Sequence, residues 1–329
     1  MHDRRVTEAS YPTGRSFAGL SRPRAFGVVT AAYAVAGAAA LVTALLLREL
    51  HPITVVFVAD LVATGVIFLL SVVLANASLY DPYWSVAPPI VAIAWALVAP
   101  DGLSSGAKAR QVVVVVLVVI WAVRLTGNWA IGWHGLTQED WRYVMLRGNT
   151  AGRLPWWLVN LVGIQLVPTL VVFVGLLPLW PALGRPTHSF GLLDVVAVVV
   201  TTVAIVMETV ADNQMRAFIR DPANRGRTCD IGMWSRSRHP NYLGEISTWC
   251  GLYLFGLAAD PTWWWTVLGP VVMVLLFETA SIPMMEERSL GRRPEYADYQ
   301  RRVPRLLPLR LRRTSWPGQG SRAQRRAGD

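Results

Sequence analysis

The 329-residue sequence has few charged residues, few cysteines and few histidines, and each shortage excludes a class of protein. Charged residues make up 16% of the chain, against about 25% in an ordinary soluble domain, which excludes a typical soluble enzyme. Two cysteines, Cys229 and Cys250, cannot form a disulfide framework and do not have zinc-site spacing. The five histidines are scattered along the chain, which excludes the clustered histidines of membrane di-iron enzymes.

Hydrophobic residues make up 53% of the chain and are concentrated in long runs. A helix needs about 20 mostly apolar residues to cross a bilayer, and a helix satisfies its own backbone hydrogen bonds there. The sequence therefore predicts an all-α polytopic transmembrane bundle of seven to eight spans. The eight predicted spans cover residues 25–47, 52–75, 84–99, 112–133, 156–180, 192–211, 243–258 and 263–282.

Basic residues are distributed unevenly around these spans. If both termini are cytosolic, 26 of the 31 Lys and Arg residues lie in cytosolic segments and 4 lie outside. This asymmetry predicts cytosolic termini and an even number of spans. It also attributes most of the formal net charge of +10 to topology and to contact with anionic membrane lipids rather than to nucleic acid binding.

Ionisable residues near or within the predicted spans are costly to place there and are therefore candidates for function. Most of them lie toward the cytosolic ends of their helices. They are Asp81, Arg124, Glu208, Asp212, Arg216, Glu245 and Glu278, and the polar Asn128 shares a helix face with Arg124. Because these residues lie on the same side of the membrane, the sequence favours one cytosol-facing cavity that collects them. The alternative is that they form interhelical salt bridges or interfacial caps. Asp60 and Asp194 lie elsewhere, and we expect both to be structural.

Three polar segments extend this candidate site. Residues 231–245 contain two guanidiniums, which can bind phosphate bidentately, and a helix start that offers backbone donors to an anion. The alternative is a basic cluster that contacts lipid headgroups. The second segment is 135–147, and the third, 283–304, could equally be an amphipathic surface helix. The residues that we select from the three segments are Glu139, Asp140, Arg142, Tyr143, Arg236, Arg238, His239, Asn241, Tyr242, Glu286, Tyr296 and Tyr299.

At these residues the chain resembles the steroid 5α-reductase superfamily, most of all its bacterial membrane branch, described as a domain of unknown function (DUF1295-like). The resemblance covers about residues 78–308 and is strongest over 208–251 and 278–304. It implies an all-helical membrane bundle, NADPH in a cytosol-facing cavity, and a lipid-like enone that enters from the bilayer. It also implies the bacterial inner membrane as the location. The implied organisation is a cytosolic tail over 1–24, a bundle over 25–285 with a reductase-like core at about 190–308, a cofactor-lid segment over 286–309 and a disordered basic tail over 310–329.

The resemblance and the phosphate argument together predict a set of cofactor contacts. These are Arg124, Asn128, Arg142, Glu208, Asp212, Arg216, Arg236, Arg238, His239, Asn241, Tyr242, Glu245 and Glu286. Two positions depart from the steroid enzymes, because Glu208 replaces a usual Asn and Trp121 replaces a Tyr that holds the substrate carbonyl. The departures leave the substrate class open among steroid, sterol, polyprenyl and acyl enones.

Reduction of a carbon–carbon double bond conjugated to a carbonyl requires an acid at the developing enolate oxygen. A carboxyl group beside apolar surface has a raised pKa and can act as that acid. The sequence predicts Asp81 for this role, with Tyr80, Tyr83 or Tyr143 as helpers. Trp84 and Trp121 are the predicted walls for a flat substrate.

Two other functions are compatible with parts of the sequence. Residues 238–244 and the pattern from Glu286 to Tyr299 also resemble membrane isoprenylcysteine carboxyl methyltransferases, which use S-adenosylmethionine. The upstream Arg124, Asn128 and Asp212, and the predicted number of spans, favour the reductase. A transporter would show paired repeats and polar groups at the bilayer midplane, and the sequence shows no repeat.

Overall fold

The computed structural model describes residues 20–308, and over this range the chain is helical without strands. The predicted tail at 310–329 and most of the tail at 1–24 lie outside the described residues. The helices are α1 Arg22–Leu46, α2 Pro52–Val73, α3 Tyr83–Leu97, α4 Ser105–Gly132, α5 Trp141–Thr150, α6 Trp156–Leu176, α7 Leu192–Arg220, α8 Pro240–Ala259, α9 Pro261–Arg292 and α10 Tyr296–Arg302. Two of them contain π-helical turns, at Val159–Leu166 in α6 and Phe277–Ser281 in α9.

Within residues 20–308, six helices are long and apolar enough to cross a membrane, namely α1, α2, α4, α6, α7 and α9. The protein is therefore an integral membrane protein, as the sequence predicts. The count of eight spans is not confirmed, because α3 and α8 are not among these six. Helix α3 has only 15 residues and contains Pro88 and Pro89. Helix α8 buries much of its surface against its neighbours, so it is shielded from any surrounding lipid.

The closest helix pair in the described structure is α7 with α8. A Cβ atom on Gly244 would lie 2.8 Å from the Cβ of Glu208 and 3.0 Å from the carbonyl oxygen of Ala204. Small residues let membrane helices approach this closely. The close approach matters for function because it brings Glu208 and Glu245, which are on different helices, to the same level of the bundle.

Two buried polar contacts at other places stabilise the bundle. Arg110 on α4 and Asp194 at the start of α7 form a bidentate ion pair with distances of 2.6 and 2.8 Å, and both side chains are almost fully buried. Tyr83 donates a 2.6 Å hydrogen bond to the carboxylate of Asp60 on α2. Both contacts agree with the structural roles that the sequence predicts for these two aspartates.

Candidate functional site

A buried charge cluster lies where α4, α7 and α8 meet. The Nη2 atom of Arg124 lies 2.6 Å from Oε2 of Glu208, and its Nη1 atom lies 3.1 Å from Oδ2 of Asp212. Asn128, one turn further along α4, donates a 2.7 Å hydrogen bond to the same Asp212 oxygen. The structure thus brings together residues that the i, i+4 spacings of α4 and α7 place on facing surfaces.

Glu245 completes this cluster from α8. Its Oε2 atom lies 4.0 Å from Arg124 Nη2, and its two oxygens accept hydrogen bonds of 2.9 Å from the indole N–H groups of Trp121 and Trp249. The two indoles are fully buried and meet edge to face, with ring centroids 5.5 Å apart. Trp121 therefore holds Glu245 in place from within the core, and its predicted contact with a substrate stays a prediction.

A cavity of about 920 Å³ opens beside this cluster. Asn128, Asp212, Asn241 and Tyr242 line it near the cluster, and the loop after α7 and the end of α9 supply further walls. Seven arginines line the cavity against two aspartates, Asp212 and Asp221. The arginines are Arg216, Arg220, Arg225, Arg227, Arg238, Arg292 and Arg293. The cavity is therefore strongly cationic and of the size of ordinary ligand pockets, which measure about 300–1,000 Å³.

Five of these arginines are not among the residues that the sequence predicts for the site. They are Arg220, Arg225, Arg227, Arg292 and Arg293. Their position just beyond the ends of two apolar runs could have identified them as cavity residues. Arginines that only orient a membrane protein occupy the same kind of position, however, so position alone does not separate the two roles. Conversely, the predicted contact Arg236 is exposed and does not line the cavity.

A second cluster surrounds Asp81, between α2 and α3. Tyr143 on α5 donates a 2.6 Å hydrogen bond to Oδ1 of Asp81. Burial raises the pKa of Asp81 to about 7, and the neighbouring Asp140 carboxylate acts in the same direction. Burial and the charge of Asp81 likewise raise the pKa of Tyr143. Asp81 can thus carry a proton near neutral pH, as the predicted acid must.

The loop that carries Asp81 is fixed by hydrogen bonds to the segment before α5. Asn76 donates to the carbonyl oxygens of Leu136 and Gln138, at 2.7 and 2.9 Å. Ser78 accepts a 2.7 Å hydrogen bond from the backbone N–H of Asp140. Asp140 in turn caps α5 and pairs with Arg142 at 2.8 Å. Sequence-distant loops therefore position Asp81 and Tyr143 together.

The other two predicted tyrosine helpers face a different direction. The hydroxyl of Tyr80 is 2.8 Å from Oγ1 of Thr169 on α6, and the hydroxyl of Tyr83 is bound to Asp60. The two rings stack with centroids 5.2 Å apart, and both are buried. Their hydrogen bonds go to α2 and α6, whereas Tyr143 is the tyrosine that contacts Asp81.

The third sequence segment forms a node around Glu286. Oε1 of Glu286 lies 2.8 Å from Nε of Arg238 and 3.1 Å from Nε2 of His239, and Gln300 donates a 3.0 Å hydrogen bond to Oε2. Arg238 also donates to the carbonyl oxygen of Gln300 at 2.7 Å. Glu286 thus joins the loop before α8 to α10, and it does not line the cavity, whereas Arg238 and His239 do.

Tyr242 lies between the two clusters. Its ring stacks on His239 with centroids 5.5 Å apart and lines the cavity. Burial raises the pKa of Tyr242, and the charges of Arg142, Asp140 and Asp212 act on it. The phenol therefore experiences charges from both the Asp81 side and the Asp212 side of the site. Trp84 is half-buried against the core of the bundle.

Comparison with known proteins identifies the family of the chain. A family profile described as "protein of unknown function (DUF1295)" matches residues 67–303. An uncharacterized protein of Schizosaccharomyces pombe is 26% identical over 291 residues, which covers 81% of this chain and 82% of the yeast protein. No solved structure matches the chain. The matched range contains both clusters, the cavity and the Glu286 node. The chain therefore belongs to the DUF1295 family, which is part of the steroid 5α-reductase-like group.

Proposed function

We propose that this protein is an NADPH-dependent reductase of a carbon–carbon double bond conjugated to a carbonyl in a lipid-like substrate. The observation that carries the proposal is the cationic cavity beside the buried Arg124 cluster. Membership of the steroid 5α-reductase-like group supports the same reaction class.

The residues present fit a phosphorylated dinucleotide. Arginine guanidiniums bind phosphate oxygens bidentately, and seven of them line a cavity with two aspartates. At the Arg124 end, Asn128, Asn241 and Asp212 offer amide and carboxylate groups, which suit ribose hydroxyls and a carboxamide. NADPH, when bound, supplies a hydride to the alkene carbon. We assign the phosphates to the arginine side and the nicotinamide end to the Arg124 cluster.

The acid in the proposed reaction is a side chain of the protein. Asp81, with Tyr143 bound to its Oδ1 atom, supplies the proton or hydrogen bond that stabilises the enolate oxygen of the substrate. Its pKa of about 7 matches general acid catalysis at neutral pH, because a catalytic acid works best when its pKa is near the operating pH. Arg142, predicted as a cofactor contact, pairs with Asp140, and its charge also acts directly on Asp81, against the raising effect of burial.

S-adenosylmethionine-dependent methyl transfer is the alternative. Its cofactor carries a positively charged sulfonium, which a cavity with an excess of five arginines over aspartates would repel. NADPH, an anion, is attracted by the same charge. We therefore prefer the reductase and treat methyl transfer as an outcome that the binding experiment separates.

The predicted orientation completes the proposal. The arginine-rich cavity lies at the ends of α7 and α9 that the positive-inside pattern assigns to the cytosol, where NADPH is available. The substrate would enter from the bilayer, with Trp84 and Trp121 as candidate walls. We propose the bacterial inner membrane as the location.

The experiment is to incubate the purified protein with NADPH and a panel of steroid, sterol, polyprenyl and acyl enones, and to follow NADPH oxidation. The expected result is enone-dependent oxidation, with the saturated ketone or thioester as product. The matched control is Asp81→Asn, which should bind NADPH but reduce the enone slowly. Absence of NADPH oxidation with every enone class would count against the proposed reaction.

A further inference from the structure

The cationic cavity is lined by apolar residues as well as by arginines. Ile131 and Gly132 line it from the end of α4, and Met215, Phe218 and Ile219 line it from the end of α7. One cavity therefore offers both guanidiniums, which suit an anionic cofactor, and aliphatic and aromatic surface, which suits the apolar part of a second molecule.

The apolar lining residues continue the helix faces that carry Asn128 and Asp212. On α4, Ile131 and Gly132 follow Asn128 by three and four residues, and on α7, Ile219 follows Asp212 by seven residues. These spacings place each set on one side of its helix. Asn128 and Asp212 join the two helices by a 2.7 Å hydrogen bond. The apolar residues therefore border the cavity beyond this bond, toward the ends of both helices.

The apolar lining is open at its outer edge. Ile131 and Ile219 line the cavity, yet they are 57% and 69% exposed, whereas Phe218 is 9% exposed. Within residues 20–308, a Cβ atom on Gly132 would meet no neighbouring heavy atom within 4 Å. Residues that line a cavity and are also highly exposed mark its mouth. Ile131, Gly132 and Ile219 therefore border a mouth between the ends of α4 and α7.

The lengths of α4 and α7 place this mouth at the level of the lipid headgroups. The two helices have 28 and 29 residues, which is about 42 and 44 Å at a rise of 1.5 Å per residue. A bilayer with its headgroup regions is about 40–45 Å thick. Trp129 and Trp133, on either side of Ile131 in α4, stack with centroids 5.1 Å apart, and tryptophan is enriched at this level. A molecule held in the bilayer therefore reaches the mouth without crossing bulk water.

We propose that the ends of α4 and α7 form the mouth through which the apolar part of a membrane-held substrate enters the cavity, and that Gly132 sets its width. This inference rests on the proposed function. Apolar surface that moves from lipid to the apolar lining is not exposed to water on the way, so the transfer carries no hydrophobic penalty. Gly132 is then a specificity-determining residue, because a larger side chain there would narrow the mouth for a bulky substrate without removing any cavity arginine.

The first test detects the mouth without cofactor or turnover. The full-length protein in bilayers is irradiated with a long-chain alkane that carries a diazirine, and the labelled residues are identified by mass spectrometry of peptides. The rim residue Ile219 should be labelled, and so should Met215, which lines the cavity inside the mouth. In Gly132→Phe, labelling of Met215 should fall to background, and labelling of Ile219 should remain.

Gly127→Phe is the matched control for this variant. Gly127 is on the same helix, and among the described residues a Cβ atom there also has no neighbouring heavy atom within 4 Å. It does not line the cavity, so the control should label Met215 like the wild type.

Three labelling results would overturn the proposal. Wild-type protein with Ile219 labelled and Met215 unlabelled would show that no mouth opens to lipid here, and this result needs no variant to fold. Unchanged labelling of Met215 in Gly132→Phe would show that Gly132 does not set the width of the mouth. Equal losses of Met215 labelling in Gly132→Phe and Gly127→Phe would show a general distortion of α4.

The second test measures which substrates the mouth admits. For a long-chain or polycyclic enone, Gly132→Phe should lower kcat/KM by about tenfold or more, the usual scale of discrimination by a pocket, mainly through a higher KM. Turnover of a short, water-soluble enone and the affinity for NADPH should stay at the wild-type values. Equal losses for both enones would overturn the role of Gly132. Absence of turnover with both enones in the wild type would contradict the proposed function instead, while the labelling of Met215 still decides whether the mouth exists.

Discussion

The hydroxyl of Tyr143 and the carboxylate of Asp81 are joined by a 2.6 Å hydrogen bond across 62 residues of sequence. Asp81 lies in the loop between α2 and α3, and Tyr143 lies in the first turn of α5. The side chain of Asn76 donates to the carbonyl oxygen of Leu136, and the side chain of Ser78 accepts from the backbone N–H of Asp140. These bonds hold the two loops together, and both loops are cytosolic in the predicted orientation.

The activity should depend on the protonation of Asp81. Burial raises its pKa to about 7, and the protonated form is the one that donates. Turnover should therefore be highest below pH 7 and fall as the pH rises through 7. Asp81→Asn should lower kcat by about 10²–10⁴-fold, the usual contribution of general acid catalysis, and Tyr143→Phe should lower it less. A pH–rate profile with the same alkaline decline in Asp81→Asn would show that another group is the acid.

The same pKa has a consequence for stability. The folded state holds the Asp81 proton up to about pH 7, whereas the unfolded chain releases it near pH 4. Because the folded state binds more protons in this window, the free energy of unfolding should decrease as the pH rises from 4 to 7. Asp81→Asn should remove the contribution of Asp81 to this decrease and make the curve less steep. Thermal melting of both proteins across the window checks it, and parallel curves would contradict it.

The cavity arginines should control cofactor affinity. A charge-assisted hydrogen bond contributes about 1.5–3 kcal/mol, so the double substitution Arg225→Ala with Arg227→Ala should weaken NADPH binding by about 10²-fold or more. Arg236→Ala is the matched control, because Arg236 lies on a nearby loop but does not line the cavity. Equal losses in the two variants, measured by NADPH titration, would mean that general surface charge rather than the cavity binds the anion.

Glu286 should hold α10 against the loop before α8. Glu286→Gln leaves Arg238 and His239 without their carboxylate partner, and breaking a buried pair from one side costs about 3–5 kcal/mol. We expect a lower melting temperature and faster proteolytic cleavage around α10. Cleavage of the variant at the wild-type rate would show that the Glu286 contacts do not hold α10 in place.

The Arg110–Asp194 pair should affect stability without affecting the cofactor. Both side chains are almost fully buried, so Asp194→Asn should destabilise the protein by about 3–5 kcal/mol. NADPH affinity of the folded fraction should stay at the wild-type value, because neither residue lines the cavity. Thermal melting and NADPH titration of one preparation measure both quantities. A large loss of affinity would indicate coupling between the pair and the cavity.

The apolar runs predict most of the helices, but not where the helices end. Helix α7 continues from the predicted end at 211 to Arg220, because Asp212 and Arg216 extend a polar face beyond the apolar run. Helix α8 starts at Pro240 rather than 243, since proline is favoured in the first helical turn. Helix α3 is shorter than a lipid-facing span, and α8 is more deeply buried among its neighbours.

The site is predictable only where its residues share one helix. Arg124 with Asn128, and Glu208 with Asp212, follow from helical periodicity. The bond from Trp249 to Glu245 joins residues one turn apart on α8, whereas the bond from Trp121 to Glu245 depends on how α4 and α8 are rotated against each other. The cavity walls at Arg292 and Arg293 depend on the fold of separate segments, which no local pattern encodes.

The most direct test of the account is a comparison of NADPH and S-adenosylmethionine binding to the purified wild-type protein. Binding heats and the shift in melting temperature would be measured for each ligand at low and at moderate salt. We predict saturable NADPH binding that raises the melting temperature and weakens with salt, with no comparable effect of S-adenosylmethionine. Saturable binding of S-adenosylmethionine together with no binding of NADPH would contradict it.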